Sequence, residues 1–317
     1  MVRFVSAALL LLLVGTAFAQ YPARAVRLLV PNPPGGATDT LARVFAPKLG
    51  EALGQPVIVD NRPGSNGNVA SEAAARAAPD GHTLLLCADA QIVIGPHLYS
   101  KMPLDTLKDL EPIASLVNTQ MVLSVNPALP VKNLGEFVEH ARRANPPLAY
   151  ASIGNGSQHH LVMEMLKARA GIDLLHVPFK GGGPATVALL AGEVSVMFGG
   201  NSVAGHIKSG RLRALAVAGK NRAAAHPELP RLADFYPDLE VTPWLGLFGP
   251  AALPAPILSR LRNEVQKLLA DADFREKVRN LGGLEPYVTT PEEFAALIRA
   301  EHAKYARVVK AAGAKID

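Results

Sequence analysis

Short runs of Val, Ile and Leu alternate with longer helix-patterned stretches along most of this 317-residue chain, and that alternation constrains the fold more than any other feature. A brief apolar run bounded by turn residues reads as a buried strand, and strands separated by helices build a helix-covered, largely parallel sheet. Val26-Arg27-Leu28-Leu29-Val30 predicts the first strand. Thr38 to Leu49 predicts a helix, with Leu41, Val44, Phe45 and Leu49 on one face. Val57-Ile58-Val59 and Leu84 to Cys87 predict further strands, separated by the turn-rich Asn61-Arg62-Pro63-Gly64-Ser65-Asn66-Gly67 and an alanine-rich helix through Ala77. Ile113 to Val117, with Met121 to Val125, is expected to carry the sheet onward.

From Leu134 to about Ala218 the alternation starts again, with strands at Leu148 to Ser152, Leu174 to Val177, Val194 to Phe198 and Leu212 to Val217. The length exceeds what one ordinary core needs, so this stretch reads as a second lobe with its own central sheet. Beyond Pro230 the chain reads as an irregular, proline-dotted return through Pro243 to Phe248. Two amphipathic helices follow, Ala255 to Asp271 and Pro291 to Ala312. They have no sheet of their own and are expected to pack on the first lobe. The predicted organisation is α/β and two-lobed: residues 20–122 and 247–317 in lobe 1, 123–246 in lobe 2. Two crossings, near Met121 to Val125 and near Pro243 to Leu247, act as a hinge.

Composition excludes several function classes. Residues 1–19 carry Arg3, an apolar run from Ala7 to Val14 and the ending Ala17-Phe18-Ala19, the pattern of a cleaved export signal. The run is short of the ~20 residues that a spanning helix needs, and Gln20 after the expected cut offers no thiol for lipidation. An exported, soluble, unanchored protein is expected, in the periplasm. Cys87 is the only cysteine, so no intrachain disulfide forms, and its apolar setting reads as a buried strand residue. The net charge of +5 is mild and scattered, without the interleaved aromatics of a nucleic-acid surface.

Two segments share one design. Val30 to Asp39 (Val-Pro-Asn-Pro-Pro-Gly-Gly-Ala-Thr-Asp) links strand to helix in the first lobe, and Ala151 to His160 (Ala-Ser-Ile-Gly-Asn-Gly-Ser-Gln-His-His) does so in the second. Glycine lets backbone approach a bound group, and the unpaired amides of a helix's first turn favour an anion. Lys180-Gly181-Gly182-Gly183, with Pro184 at the expected first helical position, repeats the theme. Each loop alone is equally a turn requirement, and Thr38 or Ser157 equally a helix cap. One such loop in each lobe is more telling, because strand ends facing a cleft are where α/β proteins bind ligands. Micromolar affinity needs gross contacts of roughly 12 kcal/mol after the cost of association, which about four to six charge-assisted hydrogen bonds supply without an arginine clamp.

Enzyme signatures are missing. Pro-Pro-Gly-Gly-Ala-Thr-Asp lacks the glycine spacing of a phosphate loop or a dinucleotide fingerprint, and Gly-Asn-Gly-Ser157-Gln is not a hydrolase elbow. His159 and His160 are adjacent, so they point apart, which suits capping, packing or a ligand hydrogen bond better than metal. Asp39 reads as a helix cap or an organiser of the glycine loop. Asp89, at a strand end, reads either as a turn residue or as an acceptor for a solute's ammonium or amide. Neither metal nor cofactor is expected.

These stretches closely resemble the tripartite tricarboxylate transporter solute-binding proteins, the Bug family, nearly end to end. Tyr21-Pro22, Val30 to Asp39, Gln55-Pro56-Val57, Asn61 to Gly64, Ala78 to Gly81, Tyr150 to Ser157 with His160, His176 to Gly181 and Gly210 to Ala216 carry the likeness. The resemblance implies a Venus-flytrap receptor of the type II periplasmic-binding-protein kind, which binds a small carboxylated solute from both lobes and delivers it to membrane permease subunits. By position it implies first-lobe contacts from Asn32, Gly36 and Ala37, supported by Asp39. It implies second-lobe contacts from Ser152, Gly154, Gly156 and Ser157, with His160, Lys180 and Gly181 close by. Asn32 stands where an aromatic residue is commoner, Asp89 where a small one is, and Phe198-Gly199-Gly200 lacks a following acidic or amide residue. Asn32, Asp89 and Gln91 are therefore expected to select a solute with hydrogen-bond donors: an amino acid, an amide or a nitrogen heterocycle acid. A monomer is expected. The alternative partner is a two-component sensor kinase, and the less favoured function a periplasmic hydrolase on the same scaffold.

Overall fold

The computed structural model describes residues 21–222 and 226–316; the export segment expected at 1–19 lies outside them. In chain order the elements are β1 (Val26–Val30), α1 (Ala37–Leu53), β2 (Val57–Asn61), α2 (Asn68–Ala75), β3 (Thr83–Ala88), α3 (Gly95–Leu98), β4 (Leu110–Thr119), β5 (Val122–Val125), α4 (Leu134–Arg143), β6 (Leu148–Ser152) and α5 (Gln158–Ala170). Then come β7 (Leu174–Pro178), α6 (Gly182–Ala191), β8 (Val196–Gly199), α7 (Asn201–Lys208), β9 (Arg213–Val217), β10 (Trp244–Pro250), α8 (Ala255–Ala270), α9 (Ala272–Asn280), β11 (Leu284–Pro286) and α10 (Pro291–Ala312).

Two sheets divide the strands. The first has six, in the order β11-β4-β10-β3-β1-β2, and the second five, in the order β7-β6-β8-β5-β9. In the first sheet β1 runs parallel to both β2 and β3. In the second, β6 runs parallel to both β7 and β8. Parallel neighbours release their following loops at one edge, which is how each lobe assembles a cluster of turns from distant sequence.

Each sheet is packed on both faces. Val26, Leu28 and Val30 meet Leu41, Phe45 and Leu49 of α1 with Leu261 and Val265 of α8 on one face of the first sheet. Leu29, Leu85 and Cys87 meet Phe294, Ile298 and Tyr305 of α10 on the other. The C-terminal helices thus complete the first lobe's core, and that core also takes in Leu161 from α5 of the second lobe. The second sheet buries Leu123, Tyr150 and Phe198 against Phe137 of α4 and Val162 and Leu166 of α5.

Two details differ from the sequence reading. Met121 to Val125 does not extend the first sheet; β5 pairs with β8 and β9 in the second. The supposedly irregular return is a fully buried strand, β10, antiparallel to β3 and β4 in the middle of the first sheet. The prolines around it hid it. Gly246 and Gly249 weaken a strand by propensity, yet both are demanded by packing, since a Cβ on Gly246 would lie 2.6 Å from the Phe294 ring and one on Gly249 2.6 Å from Leu253.

The crossings between lobes run side by side and are hydrogen-bonded together. Thr119 N–H donates to Pro243 C=O at 2.8 Å, Ala218 N–H to Met121 C=O at 2.9 Å and Val241 N–H to Ala218 C=O at 2.8 Å. A joined pair of crossings is the form that hinges between lobes take.

Gly246→Ala forces a methyl group into the Phe294 ring. It is expected to destabilise the protein by about 1 to 3 kcal/mol in a urea titration, as overpacked cores do.

Candidate functional site: glycine turns at the facing strand ends

In the first lobe the turn after β1 is held from below by one carboxylate. Asp39, 1% exposed, accepts the Gly35 N–H and the Arg43 Nε–H, each at 2.9 Å, and the Asn61 Nδ2–H at 2.9 Å. Asn61 also donates to the Asn32 carbonyl at 3.0 Å, which ties the end of β2 to the turn. Asp39 therefore organises the loop and does not cap the helix: the N-cap of α1 is Gly36, without a side-chain cap. Gly35 adopts φ +91°, a left-handed conformation open to glycine at little cost. Pro33 to Ala37 are exposed, and the Asn32 Oδ1 is buried without a hydrogen-bond partner among the described residues.

The Arg43 guanidinium, followed by the Gly35 and Asn61 donors, outweighs burial and holds the Asp39 carboxyl down at about 2. A carboxyl with a depressed folded value stabilises the fold above its ordinary 3.8, and that contribution disappears as pH falls through about 2.

The second-lobe turn is built on imidazoles. Gly154 and Gly156 have φ of +133° and +72°. The Ser152 hydroxyl donates to the Gly154 carbonyl and accepts its N–H, each at 3.1 Å, and sits 2.6 Å from His176 Nε2. Ser157 caps α5 through the His160 N–H at 3.3 Å and donates to the Gly154 carbonyl at 2.7 Å. His160 Nδ1 accepts the Gly156 N–H at 3.0 Å, so that ring carries its proton on Nε2. The rings of His160 and His176 stack at 4.0 Å with 2° between their planes, and Tyr150 lies 4.9 Å beyond His176. Burial, reinforced by the neighbouring imidazole, pushes His176 down to about 4, and burial likewise lowers His160. The stack is neutral near pH 7.

The Lys180-Gly181 turn adjoins this one, since Phe179 N–H donates to the Ser152 carbonyl at 3.0 Å. Lys180 is exposed, and Gly181, at φ +108°, begins α6 without a side-chain cap. Pro184 falls in the first turn of α6, where no intrahelical N–H is lost. The starts of α1 and α6 thus both lack a side-chain cap on their first-turn amides, the arrangement that favours an anion.

Asp89 and Gln91 are engaged by protein groups. Asp89, 1% exposed, accepts the Ala90 N–H at 2.7 Å through one oxygen. Its other oxygen accepts the Trp244 N–H at 3.3 Å and the side-chain amide of Gln158, the first residue of α5. Gln91 accepts the Ala88 N–H at 3.0 Å and donates to the Asn66 carbonyl at 3.2 Å. Gly67 closes this corner against Gln91 and Pro31. The Asp89 to Gln158 bond therefore joins the first-lobe turn cluster to the second, one residue from Ser157. Gly156 packs against Leu98, and Asn155 Nδ2 donates to the Lys315 carbonyl at 2.7 Å, so the second-lobe loop rests on the first lobe.

Sequence reasoning did not single out Asn61, His176 or Gln158 as site residues. Asn61 was visible as part of a turn signal, but no local pattern foretells a strand histidine bonding a serine 24 residues away or an amide reaching a carboxylate 69 residues away. A groove of about 1100 Å³ lies along the far half of α5, between Glu164 to Ile172 and α10, and none of the glycine turns line it. Among the described residues no cluster of three or more His, Cys, Asp or Glu is suited to a metal, and no helix is long and apolar enough to cross a membrane.

Two α/β lobes on paired crossings are the fold of a periplasmic solute-binding receptor. The chain belongs to the tripartite tricarboxylate transporter family of receptors, whose family model matches residues 41–314. It is 36% identical to protein BugT of Bordetella pertussis over 299 residues, 93% of this chain and 91% of that one. The solved structure of R. palustris Rpa4515 with adipate is 30% identical with a TM-score of 0.81, covering 93% of this chain and 99% of that one. MatC (Rpa3494) from Rhodopseudomonas palustris with bound malate is 31% identical with a TM-score of 0.75, covering 91% and 100%. Family and fold are those of receptors rather than enzymes.

Replacing Asp39 with Asn leaves buried donors poorly matched. At pH 7 the variant is expected to lose about 1 to 3 kcal/mol of unfolding free energy, with the deficit narrowing toward pH 2 in a urea series. For His176 the unfolded ring binds protons more tightly than the folded one, so stability should decline as pH falls from 6.5 toward 4. His176→Phe should show a shallower decline in the same titration.

Proposed function

We propose that this protein is an exported periplasmic receptor that captures a small carboxylated solute between its lobes and presents it to the membrane subunits of a tripartite tricarboxylate-type transporter. The observation that carries this reading is the pair of helix starts without side-chain caps, at Gly36 in one lobe and Gly181 in the other, with the Gly154 to Ser157 turn beside the second. Backbone N–H groups aimed from fixed turns bind carboxylate without the entropy loss of long side chains. The relatives bound to adipate and malate lend support, since both are carboxylates.

In this reading the first-turn amides at Gly36, Ala37 and Gly181 supply the anion contacts, with Lys180 adding positive charge at the rim, while Ser152, Gly154, Gly156 and Ser157, whose amides and hydroxyls are bonded within their own turn, shape the wall beside them. Asp39, Gln91 and His160 hold the turns that present those contacts. Asn32 selects for the rest of the solute: its buried, unpartnered Oδ1 favours a molecule with an N–H or O–H group. The protein works as a monomer, with neither metal nor cofactor in the capture step.

A thermal-shift screen of the protein without residues 1–19 tests the reading, using malate, adipate, amino acids, nicotinate and their amide counterparts. A bound carboxylate at a hundredfold its Kd adds about 2.7 kcal/mol and raises Tm visibly, whereas its amide counterpart should not. Amides raising Tm as much as the acids would reject anion capture. Asn32→Leu should weaken binding of donor-bearing acids by roughly tenfold while sparing simple dicarboxylates.

A further inference from the structure

The one side-chain hydrogen bond that joins the two turn clusters is placed to govern how the lobes stand toward each other. Asp89 directly follows β3 of the first sheet, and Gln158 opens α5 of the second lobe; they are 1% and 8% exposed. The Asp89 oxygen that accepts Gln158 also accepts the backbone N–H of Trp244, where the returning crossing enters β10. A single carboxylate therefore holds both the mobile lobe's helix and the crossing on which that lobe turns.

The bond is buried and screened from water. Opening the lobes at this point would strip the Gln158 amide of its acceptor until solvent reached it, while Asp89 would keep the Ala90 and Trp244 N–H donors, so the bonded arrangement is favoured over an open one. Apolar packing lies alongside: Leu161 sits in the first lobe's core, and Gly156 lies against Leu98. Polar groups from α10 close the other side, with Trp244 Nε1 donating to Glu301 at 2.7 Å and Lys304 donating to the Glu240 carbonyl.

We propose that Asp89 and Gln158 form an interlobe latch, a pair of positioning residues that holds the two lobes at a defined mutual orientation and so fixes the Gly154 to Ser157 turn relative to the first lobe. The inference rests on the hinged-receptor reading, but its test uses no solute, so a wrong solute class leaves it standing. Both latch residues act through geometry and touch no reacting group. The latch assigns Asp89, by its buried position, to the lobe interface.

The test is a pulsed electron-spin distance measurement on the empty protein, labelled at Ile58→Cys on β2 and Val187→Cys on α6, which are 53% and 64% exposed. Cys87 stays unlabelled, being fully buried with its thiol pushed up by that burial and by Asp89. With the latch intact a single narrow distance is expected. Gln158→Met, which keeps length and removes the amide, should broaden or displace it. Where Gln158→Met fails to fold, Asp89→Ala in the same labelled background reads the bond from the other side. In a thermal double-mutant cycle, Asp89→Ala and Gln158→Ala should be non-additive. An unchanged distance in a folded latch variant, or additive effects in the cycle, would overturn the proposal.

Discussion

Strand direction is the constraint on which this molecule depends. Because β1, β2 and β3 run parallel, the turns after all three emerge at one edge of the first sheet, and β6, β7 and β8 do the same for the second. Helices that follow such strands begin at that edge, with their unpaired amides pointing outward. Glycine at those positions removes the side chain that would otherwise stand between backbone and ligand. Each turn consequently presents main chain at its surface, and the side chains beneath it hold that main chain in place.

The two lobes achieve that support by different chemistry. Under the first turn lies a charged group: Asp39 is drawn to Arg43 and gathers three donors from the loop, the helix and β2. Under the second lies a neutral one, the stack of Tyr150, His176 and His160, joined to the turn through Ser152 and the Gly156 amide. An ionised residue beneath both turns would place fixed charge on either side of an incoming anion. A neutral imidazole leaves the field of the helix start intact, which is the arrangement a carboxylate favours.

Between the lobes the chemistry changes again. Asp89, Glu301 and Lys304 lie in or near the interface, where burial, and for Asp89 the adjacent Glu301, raises the carboxyls above their ordinary range, and burial lowers the lysine. Ionic groups in such surroundings persist only where hydrogen bonds hold them, and each here is bonded to a defined partner or lies beside one. That network joins β3, β10, α5 and α10, elements from three separate parts of the chain.

Local sequence was sufficient for whatever depends on neighbours in the chain. The alternation from Val26 onward determined an α/β fold, the glycine turns at Gly36, Gly154 and Gly181 announced where backbone would be exposed, and the recurring stretches pointed to the family. Local sequence was insufficient wherever partners are distant. The prolines beyond Pro230 read as an irregular return until β10 was seen paired between β3 and β4. Asp89 and Gln91 looked available at a strand end because the groups that occupy them, Gln158, Trp244 and Asn66, arrive from other turns and another lobe. Propensity and turn chemistry act over a few residues and can be read along the chain; which buried polar group meets which is decided only when tertiary packing brings them within reach.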